Sequence, residues 1–375
     1  MSVLHIALGL TEPSTLWMRR QLQMIEKDVS YLFTDIPGAK KFNSAFKCII
    51  IRRGKNVLLY RLVHYYNLFR FIIAAKNSNV EVIFMHYLTT AVRFKSVLKI
   101  IDKPVYVHCH GYDVMWDVMV SGVPAHDESY PQKVRELPDN IIFIGNSNQT
   151  IQRLVKIGIP TNRVVLKYLG VEVPNKFIFN GEEKNYLTVL YLGRLIDFKG
   201  PDLVIRAFEI ACEQGFQGEL IMAGDGPLRD TCELLVAHSK FKNRIKLLGA
   251  VDADTGRELR KKADIFTAHN CKGPLSNQEE AFGVTIVEAM AEGIPIVNAN
   301  NGSIKELLQN GVTAILVEPG DIHAHAEGFL RLYNDKNLCE ELAKKAWEHA
   351  RKNFTLEVES INLHNILGLN IAKSV

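Results

Sequence analysis

Glu279-Glu280-Ala281-Phe282-Gly283-Val284-Thr285-Ile286-Val287-Glu288-Ala289-Met290-Ala291-Glu292-Gly293-Ile294-Pro295 reads as a turn that feeds a short helix. Two carboxylates, Glu280 and Glu288, stand eight positions apart, and an aromatic-glycine turn follows the first. The helix is expected over Val284–Glu292, with Gly293 as its C-terminal stop and Pro295 just beyond. The start of such a helix offers free backbone N–H groups and a positive dipole end, which suits a phosphate. A carboxylate in the turn and another on the helix can then hydrogen-bond hydroxyls on either side of that phosphate.

The chain alternates short apolar runs with helical patterns. Strands are expected at Val3–Leu8, Val29–Phe33, Cys48–Ile51, Val82–Met85, Val105–Cys109, Ile141–Gly145 and Val164–Tyr168. Further on they are expected at Thr188–Leu192, Glu219–Ala223, Ile245–Leu248, Ile265–Ala268, Ile294–Asn298 and Ala314–Val317. Most of these runs are continuously apolar, as in strands buried on both faces of a parallel sheet, and the intervening helices complete βαβ units. The pattern breaks near Gly170–Glu183 and restarts at Leu190-Tyr191-Leu192. The expectation is an α/β chain with two Rossmann-like domains, residues 1–170 and 171–355, facing across a cleft. A C-terminal helix over 356–375 is expected to pack back towards the first domain.

A length of 375 residues fits two cores rather than one, and 47% hydrophobic content is ordinary for a globular protein. No apolar run approaches the roughly 20 residues of a membrane-spanning helix, and the N-terminus lacks the pattern of a signal peptide. The six cysteines form no CxxC pair, which argues against a disulfide framework or a zinc knuckle and fits a reducing cytoplasm. Net charge is only +4 but unevenly spread. Residues 1–170 carry 22 Lys/Arg against 12 Asp/Glu, whereas residues 171–375 carry 23 against 29. That asymmetry hints at an anionic partner for the first half.

Gly193-Arg194-Leu195-Ile196-Asp197-Phe198-Lys199-Gly200 follows the first strand of the second half. Strand-to-helix turns are where open α/β sheets bind ligands. Arg194 offers a bidentate fork, Lys199 a point charge, and Gly193 and Gly200 allow close backbone approach, a set suited to a diphosphate. A surface turn with two solvated cations is the bland alternative. Taken with Glu280 and Glu288, the layout matches a nucleotide sugar: sugar hydroxyls, diphosphate, ribose diol.

In these motifs the second half resembles the donor domain of family 4 retaining glycosyltransferases of GT-B architecture. The resemblance rests on G-R-L-x-x-x-K-G at Gly193–Gly200, G-D-G-P at Gly224–Pro227 and E-x-F-G-x-x-x-x-E at Glu280–Glu288. Asn301-Gly302-Ser303 with Glu306, Asn310-Gly311 and Val317–Asp321 extend it over nearly all of residues 188–350. The first half matches more thinly, through His110-Gly111-Tyr112-Asp113, Asn146-Ser147 and Tyr168–Val171. The resemblance implies that Arg194 and Lys199 bind the diphosphate and that Glu280 holds the donor-sugar hydroxyls. It implies that backbone amides of Phe282, Gly283 and Val284 touch sugar and phosphate and that Glu288 takes the ribose diol. Gly193 and Gly224 would line the donor site, and Gly249 and Ala250 would lie near the base. His110, at the end of Val105–Cys109, would reach towards the sugar and its phosphate; a buried structural histidine is the plain alternative.

One departure concerns the loop after the first strand, where many family members carry Gly-Gly. Here it is Gly9-Leu10-Thr11-Glu12-Pro13-Ser14-Thr15-Leu16-Trp17, so Gly9, Thr11, Ser14 and Thr15 are the candidates for phosphate or acceptor contacts. Asp252-Ala253-Asp254 resembles a metal-binding D-x-D, but its place before a helical stretch, Thr255–Lys262, makes Asp254 an expected N-cap. No metal and no cofactor are therefore expected. Lys40–Lys76 contains no acidic residue, and basic and aromatic residues interleave along it. In Val57–Ala74, Arg61, His64, Asn67 and Arg70 form a narrow polar stripe on an otherwise apolar helix. Either the helix packs on the sheet with its cations in water, or the stretch docks on an anionic membrane surface. No nucleic-acid partner is expected.

The resemblance implies transfer of a sugar, with retention, from a UDP- or GDP-sugar to a hydroxyl of a saccharide or lipid-linked acceptor. The family's usual setting is polysaccharide, lipopolysaccharide or glycolipid assembly at the inner face of the cytoplasmic membrane. A nucleotide-sugar epimerase, a phosphorylase and a non-catalytic nucleotide-sugar-binding protein are the rivals. A dinucleotide-dependent dehydrogenase is disfavoured because no G-x-G-x-x-G follows either first strand.

Overall fold

The computed structural model describes residues 2–8, 16–35, 46–50, 57–120, 122–179 and 184–369. The chain forms two compact units. Unit 1 takes the chain up to Trp116, His126–Tyr168 and the chain from Glu357 on; unit 2 takes Asp117–Ala125 and Leu169–Leu356. In chain order the strands are β1 (Val3–Ile6), β2 (Val29–Thr34), β3 (Lys47–Ile50), β4 (Val82–His86), β5 (Val105–Cys109), β6 (Met119–Val120), β7 (Val123–Pro124), β8 (Ile141–Gly145) and β9 (Val164–Leu166). They continue as β10 (Leu187–Leu192), β11 (Gly218–Ala223), β12 (Ile245–Gly249), β13 (Ile265–Ala268), β14 (Ile296–Ala299) and β15 (Ile315–Val317).

Among the described residues, unit 1 holds a parallel sheet in the order β3-β2-β1-β4-β5-β8-β9. Unit 2 holds a second parallel sheet, β12-β11-β10-β13-β14-β15. In each, the strand order reverses beside the first strand, at β1/β4 and at β10/β13. Such a reversal opens a crevice at the carboxyl ends of the strands, where doubly wound sheets take their ligands. The continuous apolar runs are buried as expected: β1, β4 and β14 have no exposed residue. Helices flank both sheets; in unit 1 these include Leu16–Met24 and Leu356–Leu367, whose Met18, Leu22, Leu363 and Leu367 share a core with Val3, Phe84 and Ile144.

Strand ends differ from the sequence reading where hydrogen bonding decides them. Val3–Leu8 stops at Ile6, where the ladder to Phe33 and Met85 ends. Ile294 is not a strand residue: its N–H bonds the Ala289 carbonyl at 3.1 Å, closing the helix Val284–Ala291 around Gly293 at φ 68°. The antiparallel β6–β7 pair was not foreseen, because two-residue strands carry no periodicity.

Candidate functional site

The reversal point of unit 2 brings together the two turns that the sequence singles out. After β10 the chain makes a tight turn through Asp197–Lys199 to Gly200, which starts the helix Pro201–Glu213. Gly200 sits at φ 56°, and a Cβ there would lie 2.5 Å from the His269 carbonyl oxygen, so only glycine fits. The turn is therefore pressed onto the segment after β13. Lys199 pairs there with Glu280, whose Oε2 also accepts from Asn270 Nδ2 at 3.3 Å. Burial opposes charge on Glu280, but Lys199, Arg194 and the Phe282 N–H outweigh it and hold the carboxyl below its ordinary range. Arg194 is exposed, and its guanidinium and the Lys199 ammonium both lie near the Phe198 ring, at 5.8 and 5.6 Å.

Glu280 runs into the helix Val284–Ala291, which begins at Gly283 with φ 93° and no side-chain cap. Phe282 is buried against Phe354, so only its backbone can serve a ligand. Glu288 is half-buried and bonds Arg260 Nη1 at 3.0 Å; Arg260 also reaches Glu292 at 2.9 Å. Arg260 escaped the sequence reading because it comes from another helix, Ala253–Lys262, with no fixed spacing to Glu288. Gly193 and Gly224 directly follow the adjacent strands β10 and β11, and Gly249 ends β12. A Cβ on Gly224 would fall 1.8 Å from the Gly193 carbonyl oxygen, which gives Gly224 a packing reason of its own. Ala250 is exposed just beyond β12.

Two features behind the site were also missed. Buried Asp197 accepts from the N–H groups of Leu275 and Ser276, each at 2.7 Å, and so ties the segment after β13 to the Lys199 turn. His269 and His325 form a directed chain. The Gly320 N–H donates to His269 Nε2 (2.8 Å), His269 Nδ1 donates to His325 Nδ1 (2.9 Å), and His325 Nε2 donates to Thr267 Oγ1 (2.8 Å). Burial pushes His269 down to about 4 and His325 well below its ordinary value. The unfolded chain takes up protons below about 6.5 that the folded chain refuses, so this stability is present above that pH and lost as pH falls. Two such histidines are expected to cost unit 2 roughly 3 kcal/mol between pH 7.5 and 5.5. Thermal denaturation across that range should show it, and a His269→Gln/His325→Gln variant should flatten the slope.

The D-x-D reading needs one correction. Asp252, not Asp254, is the N-cap: its Oδ1 accepts from Thr255 N at 2.8 Å, and the helix starts at Ala253. The N-cap must stand one residue before the first helical residue, and Asp254 lies inside the first turn.

Arg194, Lys199, Glu280 and Glu288 belong to unit 2, whereas His110 belongs to unit 1. His110 follows β5, and buried Asp113 pins the turn by accepting from His110 N (2.8 Å) and Leu88 N (2.7 Å). Trp17 lies over the His110 ring at 4.0 Å between centroids. Gly9, Thr11, Ser14 and Thr15 lie outside the described residues, as do Lys40, Lys41, Arg52, Arg53 and Lys55. The helix Val57–Ala75 overturns the expected exposure of its polar stripe at two positions. Asn67 is buried, and Arg70 turns inward to donate to the Ile50 carbonyl at 2.7 Å. The exposed side instead carries Leu62, Tyr65, Tyr66, Phe69 and Ile73. Among the described residues, no helix is long and apolar enough to cross a membrane.

Residues 173–349, all within unit 2, match the family model of the glycosyl transferases group 1. The chain is 28% identical over 209 residues to the amylovoran biosynthesis glycosyltransferase AmsK of Erwinia amylovora, covering 55% of this chain and 50% of that protein. It is 31% identical over 196 residues to the N-acetyl-alpha-D-glucosaminyl L-malate synthase of Bacillus anthracis, covering 52% and 48%. The chain thus spans about half the length of the curated relatives it matches. Among solved structures it resembles Anabaena Alr3699/HepE in complex with UDP and glucose, with a TM-score of 0.78, 19% identity and coverage of 98% and 99% of the two chains. At that identity the likeness speaks to fold, the two Rossmann-like α/β halves of the GT-B class.

Proposed function

We propose that the protein is a retaining glycosyltransferase of the family 4 type, which moves a sugar from a nucleoside diphosphate donor to an acceptor hydroxyl. The observation that carries this reading is the Lys199–Glu280 pair at the reversal point of unit 2, beside Arg194 and the uncapped start of Val284–Ala291. The cations and helix N–H groups suit a diphosphate, and the carboxylate suits sugar hydroxyls. The group 1 family match and the UDP in the Anabaena structure support the donor class.

In this mechanism the donor inserts its diphosphate between Lys199 and Arg194, and Glu280 exchanges part of its bond to Lys199 for the sugar. Glu288, steadied by Arg260, takes the ribose diol. The acceptor hydroxyl attacks on the face the diphosphate leaves, and the departing phosphate accepts the hydroxyl proton. Arg194, Lys199 and the helix start stabilise the charge that develops on the leaving group. These fixed charges do the work of a donor-site metal, so no divalent ion is assigned to the transfer step. The test is a screen of UDP- and GDP-sugars for thermal stabilisation, followed by turnover with and without acceptor. Stabilisation by none of them would sink the donor assignment. Product formed without acceptor would point to an epimerase, and stabilisation without turnover to a binding protein.

A finer proposal concerns the acceptor. The helix Val57–Ala75 exposes Leu62, Tyr65, Phe69 and Ile73, each by more than half, within the acid-free stretch Lys40–Lys76. A basic segment bearing exposed aromatics fits an anionic membrane surface, where a lipid-linked acceptor would be met. Each engaged cation contributes roughly 1 kcal/mol, so binding is expected to be weak and salt-sensitive. Liposome flotation should recover the wild type on anionic vesicles at low salt. Recovery should fall with R52E/R53E/K55E and with Tyr65→Ser/Phe69→Ser. Equal flotation of the variants, or none by wild type, would favour a soluble acceptor.

A further inference from the structure

The carboxyl ends of β4 and β5 in unit 1 gather histidines that the transfer reaction does not use as a group. In the parallel ladder His86 stands opposite His108, so their side chains share one face of the sheet. His110, two residues on, returns to that face. One ring nitrogen of each of the three lies within 4.8 Å of one from each of the others. His86 Nδ1 and His110 Nε2 are 3.2 Å apart.

The hydrogen bonds fix the form of His108. Glu359 accepts from Gln21 Nε2 at 2.6 Å, which turns the Gln21 carbonyl oxygen towards His108 Nδ1 at 3.1 Å. That oxygen can only accept, so Nδ1 carries the proton and Nε2 presents a bare lone pair. His108 is fully buried, and its Nε2 has no hydrogen-bond partner among the described residues. A metal-binding histidine is commonly held this way, donating its other N–H to an oxygen acceptor. His86 has the same provision, because its Nε2 meets His5 Nε2 at 2.9 Å and can donate there.

We propose that His86 Nδ1, His108 Nε2 and His110 Nε2 form a site for one divalent transition-metal ion of the zinc class. Two nitrogens bound tetrahedrally at about 2.0–2.1 Å stand about 3.3 Å apart, close to the separation seen between His86 and His110. Three imidazoles leave a fourth position for water. The Lys167 ammonium opposes a cation here, and its bond to Glu359 at 2.6 Å offsets that charge. The test of this site needs no turnover.

The experiment uses the full chain without an affinity tag, stripped by chelator, loaded with Zn²⁺ or Co²⁺ and dialysed. One equivalent of metal per chain is expected. Co²⁺ should give the visible bands of a tetrahedral nitrogen-ligated ion with no thiolate charge-transfer band. His108→Gln should abolish retention, with melting checked in parallel, and Gln21→Leu should weaken affinity about 10- to 100-fold. Retention well below one equivalent, or undiminished in His108→Gln, would overturn the site and leave a chain of neutral imidazoles only. A thiolate band would overturn the ligand set. If His108→Gln fails to fold, the wild-type stoichiometry and Co²⁺ spectrum decide.

Discussion

Turnover of Lys199→Ala and of Arg194→Ala is expected to fall about 100- to 1,000-fold, with donor affinity less affected. The reason is differential: losing one preorganised donor to developing charge typically costs about that factor. Lys199 has a second task, because it holds Glu280 ionised and in place against the burial that opposes its charge. Lys199→Ala is therefore expected to be the more damaging, and Lys199→Arg to recover only part of the loss, since a planar fork does not replace a point charge in that space. Glu280→Gln keeps the hydrogen-bonding shape without the charge and separates the two tasks. The measurement is steady-state kinetics with melting temperature as a control. Activity of both alanine variants within a few-fold of wild type, in folded protein, would remove the phosphate role.

Much of the unit 2 site was legible in sequence because its parts are local. Gly200 stops one turn, Gly283 opens a helix and Gly293 closes it, and each is dictated by backbone conformation near that residue. Arg260, Asn270 and Asp197 were not legible, since each meets its partner only after the sheet is assembled. The polar stripe of Val57–Ala75 misled for a related reason. Asn67 and Arg70 find partners inside unit 1, which a helical wheel cannot reveal, and apolar Leu62, Phe69 and Ile73 are left outside. His110 was singled out from its place after β5, but its neighbours His5, His86 and His108 look like ordinary strand residues until the register brings their strands together.

Lys167→Met is expected to destabilise unit 1 by roughly 3–5 kcal/mol. Lys167 and Glu359 are both buried, at 1% and 3% exposure, and their ion pair is 2.6 Å long. Burial pulls the lysine below its ordinary pKa, and Glu359 partly restores it. Removing the ammonium strands a buried carboxylate, which costs more than the pair itself contributes. For a unit of this size that corresponds to a melting drop of roughly 10 °C. Lys167→Met/Glu359→Gln, which removes both charges, is expected to regain most of it. A single variant that melts within about 2 °C of wild type would show the pair to be dispensable; a double variant no better than the single would locate the cost elsewhere.

Glu359 sits on the helix Leu356–Leu367 yet bonds Gln21, 338 positions earlier, and its helix lines the same core as Val3 and Phe84. During synthesis, then, unit 1 cannot finish folding when its own strands have left the ribosome. Its Lys167 and the apolar side of the helix Leu16–Met24 must wait until unit 2 has been translated and the helix Leu356–Leu367 emerges. Nascent unit 1 is therefore expected to show chaperone dependence and protease sensitivity that end only once that helix has emerged, and a fragment stopping before Leu356 should behave as a trapped intermediate rather than a domain.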